Sequence, residues 1–141
     1  MGHYVLHFDG AVYPKNPGGT GTYGYTISHG AEKVKEGSGI IGKWDDMTNN
    51  FAEFFALYKG LDHLCRIISP GSTLECKGDS ALVIKIMGNK WRAKKDKEYY
   101  LPYKKCQEIT QMIRKKKVNV IFTWIPRGSN QNSDLLSKMF R

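Results

Sequence analysis

The sequence predicts an α/β domain organised around one mixed sheet, and three observations lead to this prediction. Three strand-like segments follow one another at the start of the chain, which is typical of an antiparallel meander. Strand-like and helix-like segments then alternate, which favours parallel strands. The 141 residues are enough for one domain with a hydrophobic core and too few for two. We therefore expect a single domain over residues 1–141, with a five-stranded mixed sheet and helices on both of its faces.

The first part of the chain supplies the meander. Residues 3–8 are rich in β-branched and aromatic side chains and predict a buried strand. Asp9 is expected at the end of this strand, and Gly10 would let the chain turn away. The turn that follows at 13–21 lacks the Gly-Lys-Ser/Thr sequence of a phosphate-binding loop. The other two strands of the meander are predicted at 22–27 and 32–41.

The longest helix is predicted to begin at Thr48 or Asn49, either of which can cap its first turn. Apolar side chains recur at helical spacing as far as Ile68, so one face of this helix is expected to pack on the sheet. The remaining elements are, in order, a strand at 72–77, a short helix at 81–87, a helix at 102–114, a strand at 118–125 and a last helix beginning at Asn130. The strand at 118–125 is nearly all apolar, so we expect both of its faces to be buried.

The net charge of +9 is confined to one segment of the chain. Residues 85–117 contain 12 basic and three acidic side chains, whereas the rest of the chain has ten of each and is neutral. A local excess of this kind predicts a surface that binds a polyanion such as nucleic acid. The alternative is a solvated helix face with basic ends.

The composition favours a reducing, cytoplasmic location. No stretch is apolar for long enough to span a membrane, and the first residues lack the pattern of a signal peptide. The widely spaced Cys65, Cys76 and Cys106 form no metal-ligand pair and are expected to be free thiols.

Four isolated carboxylates are the candidate catalytic and metal-binding residues. Asp9 and Asp79 each follow a strand directly, and parallel pairing of those strands would bring both to one sheet edge, where ligand sites of α/β proteins lie. Glu53 and Asp134, in early helical turns, can lean over that edge. Taken alone, Asp9-Gly10 is typical of an ordinary turn, and Glu53 of a first-turn carboxylate favoured by the helix dipole.

Four carboxylates at one edge would repel one another. Two of them about 4 Å apart repel by roughly 4 kcal/mol at an effective dielectric of about 20, so the cluster requires protons or divalent cations. Ligands that are all oxygen select hard ions, chiefly Mg²⁺ or Mn²⁺. A pair of such ions on a phosphodiester activates water on one side and stabilises the leaving oxygen on the other.

Five short motifs follow one another in a fixed order along the whole chain. They are Asp9-Gly10, Asn16-Pro17-Gly18, Thr48-Asn49-Asn50-x-x-Glu53, Gly78-Asp79-Ser80 and Trp124-Ile125-Pro126-Arg127-x-x-Asn130-x-x-x-Asp134. Each fragment is weak alone, but the ordered set resembles the ribonuclease H family, type 1. The resemblance implies the ribonuclease H fold and endonucleolytic cleavage of the RNA strand of RNA–DNA hybrids, with 5′-phosphate and 3′-hydroxyl products.

The resemblance also implies a role for each carboxylate. Asp9 would bridge two Mg²⁺ ions, with Mn²⁺ as a possible substitute. Glu53 and Asp79 would join it on the ion at the leaving group, and Asp134 would help to hold the ion that carries the attacking water.

The substrate contacts come partly from the resemblance and partly from the basic segment. Asn16, Asn49 and Asn50 match positions that contact the minor groove of the hybrid, where 2′-hydroxyls are displayed, and Thr48 matches a contact to a DNA phosphate. Turn and helix-cap chemistry is their alternative role. The predicted nucleic-acid contacts are Asn16, Thr48, Asn49, Asn50, Lys90, Trp91, Arg92, Lys94, Lys95, Arg127 and Asn130.

The sequence differs from the family pattern in three places. Arg127 occupies the loop where many members carry a histidine, Ala81 replaces a common glutamine, and only residues 89–97 stand where some members have an extra basic helix. The alternatives are a non-catalytic hybrid-binding module, or a nuclease of the same fold acting on double-stranded RNA or branched DNA. No obligate protein partner is evident, and we expect a monomer.

Overall fold

The computed structural model describes residues 2–130 and Leu136. The elements are β1 (His3–Tyr13), β2 (Thr20–His29), β3 (Glu32–Lys43), α1 (Asn49–Ile67), β4 (Thr73–Gly78), α2 (Ala81–Met87), α3 (Tyr100–Arg114) and β5 (Asn119–Trp124), followed by a 3₁₀ turn (Arg127–Asn130). Asp134 and the helix predicted to begin at Asn130 lie outside the described residues. Within the described part of the chain, no helix is long and apolar enough to cross a membrane.

The five strands form one sheet in the order β3-β2-β1-β4-β5. β1 pairs antiparallel with β2, which pairs antiparallel with β3. On the other side, β1 pairs parallel with β4, which pairs parallel with β5. This is the mixed sheet predicted from the sequence, and β1 lies at its centre.

β1 is longer than predicted, because it continues through Asp9 and Gly10. Its antiparallel pairing with β2 extends as far as Tyr13, whereas its parallel pairing with β4 ends at His7. The prediction that Asp9 ends the strand and that the chain turns at Gly10 is therefore wrong. Asp9 nevertheless lies just beyond the last parallel pair, and Asp79 directly follows β4. Both carboxylates thus reach the edge of the parallel part of the sheet, as predicted.

The described helices lie on one face of the sheet. α1 packs on β1 and β2, and both α2 and α3 contact α1. At Gly60 the helix approaches β1 so closely that an added Cβ would lie 2.5 Å from Cδ1 of Leu6. α3 is joined to α1 by a hydrogen bond at 3.2 Å, which the thiol of Cys106 donates to the carbonyl of Phe54. α1 therefore packs against both the sheet and α3, and its first residues are held at the edge where Asp9 lies.

β5 differs from its prediction. Among the described residues it pairs with β4 alone, so it is an edge strand. Asn119, Ile121 and Trp124 are exposed, and Val120 is the buried residue of the strand. The prediction of burial on both faces is wrong, since an apolar composition does not reveal which strand lies at the edge.

Candidate active site

Three of the four predicted carboxylates meet at the sheet edge. Asp9 extends from the central strand β1, Asp79 follows β4, and Glu53 is contributed by α1. One oxygen of each carboxylate lies within 4.8 Å of an oxygen of the other two. Asp134, the fourth predicted member, lies outside the described residues.

Glu53 is the most constrained member of the cluster. It is the fifth residue of α1, after a first turn without acidic residues, and it is 7% exposed. The interpretation of Glu53 as a first-turn carboxylate is therefore wrong. Its Oε1 accepts a hydrogen bond from the backbone N–H of Gly10 at 3.2 Å. Glycine is required there, because an added Cβ would lie 2.2 Å from the backbone carbonyl carbon of Ala52.

The electrostatics of the cluster oppose three simultaneous negative charges. Burial raises the pKa of Glu53 well above its ordinary value, and a hydrogen bond with the Asp9 side chain and the charges of Asp9 and Asp79 raise it further. The N–H of Gly10 acts in the opposite direction and lowers the pKa of Glu53. The described residues therefore favour a proton or a cation at this position.

Two buried oxygens of the cluster indicate where a cation fits. Oε2 of Glu53 and Oδ2 of Asp79 are buried and have no hydrogen-bond partner among the described residues. A buried carboxylate oxygen without a partner is costly unless a cation or a donor meets it. The donor set consists of carboxylate oxygens, which suits hard ions such as Mg²⁺ and Mn²⁺. The residues present thus fit the metal predicted from the sequence.

The carboxylates line a cavity of about 380 Å³ together with predicted substrate contacts. Asn49 and Asn50, in the first turn of α1, lie in its wall, and so does Arg127. Each asparagine amide can donate and accept hydrogen bonds, and the guanidinium is a fixed cation. The cavity therefore combines a candidate cation site with polar groups that can contact a nucleic acid.

Asn16 and Thr48 are both tied to the N-terminus of α1. The hydroxyl of Thr48 accepts a hydrogen bond from the N–H of Phe51 at 3.1 Å, so Thr48 is the N-cap of the helix. Oδ1 of Asn16 accepts a hydrogen bond from the N–H of Asn49 at 3.2 Å. Asn16 and Thr48 therefore have the structural role that was the alternative to substrate contact. Their hydrogen bonds orient the turn that carries Asn49 and Asn50.

Asn130 differs from its prediction as a nucleic-acid contact. The residue is 1% exposed, and its Nδ2 donates a hydrogen bond to the carbonyl of Phe8 at 2.9 Å. This burial leaves no side-chain surface for a nucleic acid. Asn130 instead ties the 3₁₀ turn to β1 beside Asp9.

Trp124 was not predicted as a site residue. Its Nε1 donates a hydrogen bond to the carbonyl of Asp79 at 3.1 Å, while the residue is 53% exposed. A tryptophan at the end of an apolar strand, a few residues before the basic Arg127, is the sequence signal that could have indicated it.

The predicted contacts in the basic segment lie on the surface beside α2. Lys90, Trp91 and Arg92 line an open groove of about 620 Å³, together with Lys95. Nζ of Lys85 lies 4.5 Å from the centre of the Trp91 ring, so the indole is held by a cation–π contact while remaining 48% exposed. Lys94 is also exposed.

The fold and the site together define a class of protein. A cluster of carboxylates beside the end of parallel strands, with a candidate cation site, polar amides and a basic groove, suits the hydrolysis of a nucleic-acid phosphodiester. The family model for RNase H matches residues 1–138. The chain therefore belongs to the ribonuclease H family.

Solved structures agree with this assignment. The N-terminal RNase H domain of Rv2228c from Mycobacterium tuberculosis, solved as a fusion with maltose binding protein, is 26% identical with a TM-score of 0.83, over 97% of this chain and 91% of that one. RNase H1 from the halophilic archaeon Halobacterium salinarum is 27% identical with a TM-score of 0.80, over 96% and 95%. LC11-RNase H1, solved in complex with an RNA/DNA hybrid, is 24% identical with a TM-score of 0.79, over 94% and 92%, and shows the shared fold.

Proposed function

We propose that this protein is an endoribonuclease that hydrolyses the RNA strand of RNA–DNA hybrids by a two-metal-ion mechanism, leaving 5′-phosphate and 3′-hydroxyl ends. The observation that carries the proposal is that Asp9, Glu53 and Asp79 meet in one cavity. Two buried oxygens of this cluster, Oε2 of Glu53 and Oδ2 of Asp79, have no hydrogen-bond partner among the described residues. Asn49 and Asn50 lie in the wall of the same cavity. Membership of the ribonuclease H family supports the choice of substrate.

The carboxylates would hold the two ions. In this proposal Asp9, Glu53 and Asp79 would hold one ion, and Asp9 together with Asp134 would hold the other. When bound, two Mg²⁺ ions, or Mn²⁺ in their place, would activate the attacking water and stabilise the leaving oxygen.

The chain itself prepares this site in two ways. The N–H of Gly10 fixes Oε1 of Glu53 within reach of Asp9, so a cation that replaces the proton shared with Asp9 would meet an oriented carboxylate. Burial of Glu53 lowers the local dielectric and strengthens each charge–charge interaction in the cavity. Arg127, in the same cavity wall, would offer its guanidinium to a phosphate oxygen.

Substrate selection would depend on the first turn of α1. Asn49 and Asn50 present amides that can contact both base edges and 2′-hydroxyls in a shallow minor groove. The capping bonds of Thr48 and Asn16 hold this turn in place. The basic residues around Trp91 would bind the sugar–phosphate backbone. The hybrid complex of LC11-RNase H1, a protein with the same fold, supports a hybrid as the partner.

A cleavage assay on one labelled RNA strand tests the proposal. The strand is paired with DNA, paired with RNA or left single, and is incubated with and without Mg²⁺. We expect internal cleavage of the hybrid alone, in the presence of the ion. Binding of the hybrid without cleavage would indicate a non-catalytic module, and cleavage of the RNA duplex would indicate a different nuclease of this fold. Either result would contradict the proposal.

A further inference from the structure

A second groove lies between α2 and β5, on the helix-covered face of the sheet. It has a volume of about 530 Å³, and its apolar surface comes from Ile84 of α2 and Phe122 of β5. The exposed indole of Trp124 also lines it, and Lys85 and Lys90 supply cations. Ile84, Phe122 and Trp124 do not belong to the substrate contacts proposed above, whereas Lys90 is one of them and Lys85 contacts the ring of another, Trp91.

The groove adjoins the catalytic cavity along the chain. Asp79 and Ser80 line the cavity, and the next residue, Ala81, lines the groove. Nε1 of Trp124 donates to the carbonyl of Asp79, and the N–H of Ile125 donates to the carbonyl of Gly78 at 2.9 Å. These bonds hold the indole beside the backbone of a candidate catalytic carboxylate, while the residue remains 53% exposed.

The two lysines are held at the C-terminal end of α2. The backbone N–H groups of Lys90 and Trp91 both donate to the carbonyl of Lys85, at 2.8 Å and 3.1 Å. Lys90 lines both this groove and the basic groove around Trp91. The largely apolar groove is therefore lined by two lysine side chains, Lys85 and Lys90, and by the exposed indole of Trp124.

An aromatic ring beside an apolar surface, with cations within the same groove, matches the chemistry of a single nucleotide. A base stacks on an indole through its π-face, and a lysine binds the adjoining phosphate. A base inside a duplex is already stacked on both sides, so an unpaired nucleotide fits better. We propose that the groove between α2 and β5 binds an unpaired nucleotide of a single strand that continues from the end of the hybrid.

This inference rests on the proposed function, because it places the hybrid in the adjoining cavity. It extends that function to a substrate class, namely hybrids with single-stranded tails. The shared chemistry is that of a nucleotide, so the tail can be RNA or DNA, and its polarity is decided by experiment.

A binding experiment in EDTA tests the inference without requiring cleavage. One short hybrid is prepared blunt, with RNA or DNA tails at each possible end, and with a duplex extension that adds the same number of phosphates. Dissociation constants are measured by fluorescence anisotropy. We expect one tail to bind about tenfold more tightly than the duplex extension, as expected for stacking of one base on an aromatic ring. A photoreactive base in that tail should crosslink to Trp124.

Two variants assign the preference to the groove. Because Nζ of Lys85 also contacts the Trp91 ring, Lys85→Ala is scored by the ratio of tail binding to duplex-extension binding, and this ratio should fall to about twofold or less. Lys35→Ala, an exposed lysine of β3 at the opposite edge of the sheet, is the charge-matched control and should leave the preference intact. Equal binding of tail and duplex extension, or a preference that survives Lys85→Ala, would overturn the inference. Failure to cleave any hybrid would instead refute the proposed function, because the tail preference is measured by binding alone.

Discussion

Replacing Glu53 by glutamine should stabilise the metal-free protein while abolishing its activity. The folded-state pKa of Glu53 lies well above its ordinary value of 4.5, chiefly because the side chain is buried. The folded protein therefore retains a proton that the unfolded chain releases, so stability falls as the pH rises from 4.5 through the raised pKa. Glutamine has no proton to lose. Its oxygen can still accept from Gly10, and its amide can donate to Asp9 or Asp79.

The size of the effect follows from the geometry of the cluster. Oxygens of the three carboxylates lie within 4.8 Å of one another. Two unit charges at that separation repel by about 3.5 kcal/mol at an effective dielectric of about 20. Keeping Glu53 protonated instead costs up to about 1.4 kcal/mol per pH unit above its ordinary pKa, or about 4 kcal/mol at pH 7.5. An ionised Glu53 faces two such charges, so protonation is the less costly route and limits the cost to about 4 kcal/mol, which corresponds to a rise in Tm of roughly 10 °C for Glu53→Gln.

Thermal unfolding between pH 5 and 8.5 in EDTA measures this difference. The Tm of Glu53→Gln should exceed that of the wild type by an amount that grows with pH. Glu108→Gln, which changes an exposed carboxylate of α3, is the matched control and should show no such growth. Saturating Mg²⁺ should stabilise the wild type more than the variant and reduce the difference. A variant that is less stable than the wild type at pH 7.5, or a difference independent of pH, would refute the electrostatic account of the site.

Three further predictions concern the substrate contacts. Replacing Lys94, Lys95 and Lys97 with alanine should weaken hybrid binding. The slope of the logarithm of the binding constant against the logarithm of the salt concentration should become shallower by up to about 0.9 per lost phosphate contact, and an unchanged slope would show that these lysines contact only solvent. Asn50→Ala should lower hybrid cleavage at least about tenfold with little change in Tm, whereas full activity with a lowered Tm would assign Asn50 a structural role. Thr48→Ala should lower the free energy of unfolding by about 1 kcal/mol through loss of the cap, and an unchanged Tm would contradict that role.

The element order was predictable because it depends on local patterns. Helical spacing of apolar residues and the cap at Thr48 predicted α1, and its start agrees with the structure. The wrong predictions concern features that depend on distant partners. Asp9-Gly10 has the local signal of a turn, yet Gly10 is glycine because the backbone of α1 passes against it. Burial on both faces was predicted for β5 from its apolar run, but its position at the sheet edge depends on the order of all five strands.

The same distinction applies to the candidate site. The meeting of Asp9 and Asp79 was predictable, because both lie just beyond the parallel pairing of β1 and β4, and Glu53 joins them from the second turn of α1. The buried hydrogen bond of Asn130 to the carbonyl of Phe8 was not, because 122 positions separate them in the sequence. The contact of Trp124 with Asp79 likewise depends on the pairing of β4 and β5.

Cleavage of a labelled hybrid by the wild type and by Asp9→Asn, under single-turnover conditions in Mg²⁺, tests the central claim most directly. The substitution removes the bridging charge with almost no change in volume, so circular dichroism and Tm should show a folded protein. The wild type should release fragments with 5′-phosphate and 3′-hydroxyl ends, and Asp9→Asn should release none. Cleavage by Asp9→Asn at a rate similar to that of the wild type would contradict the assignment of these carboxylates as ligands of two catalytic ions.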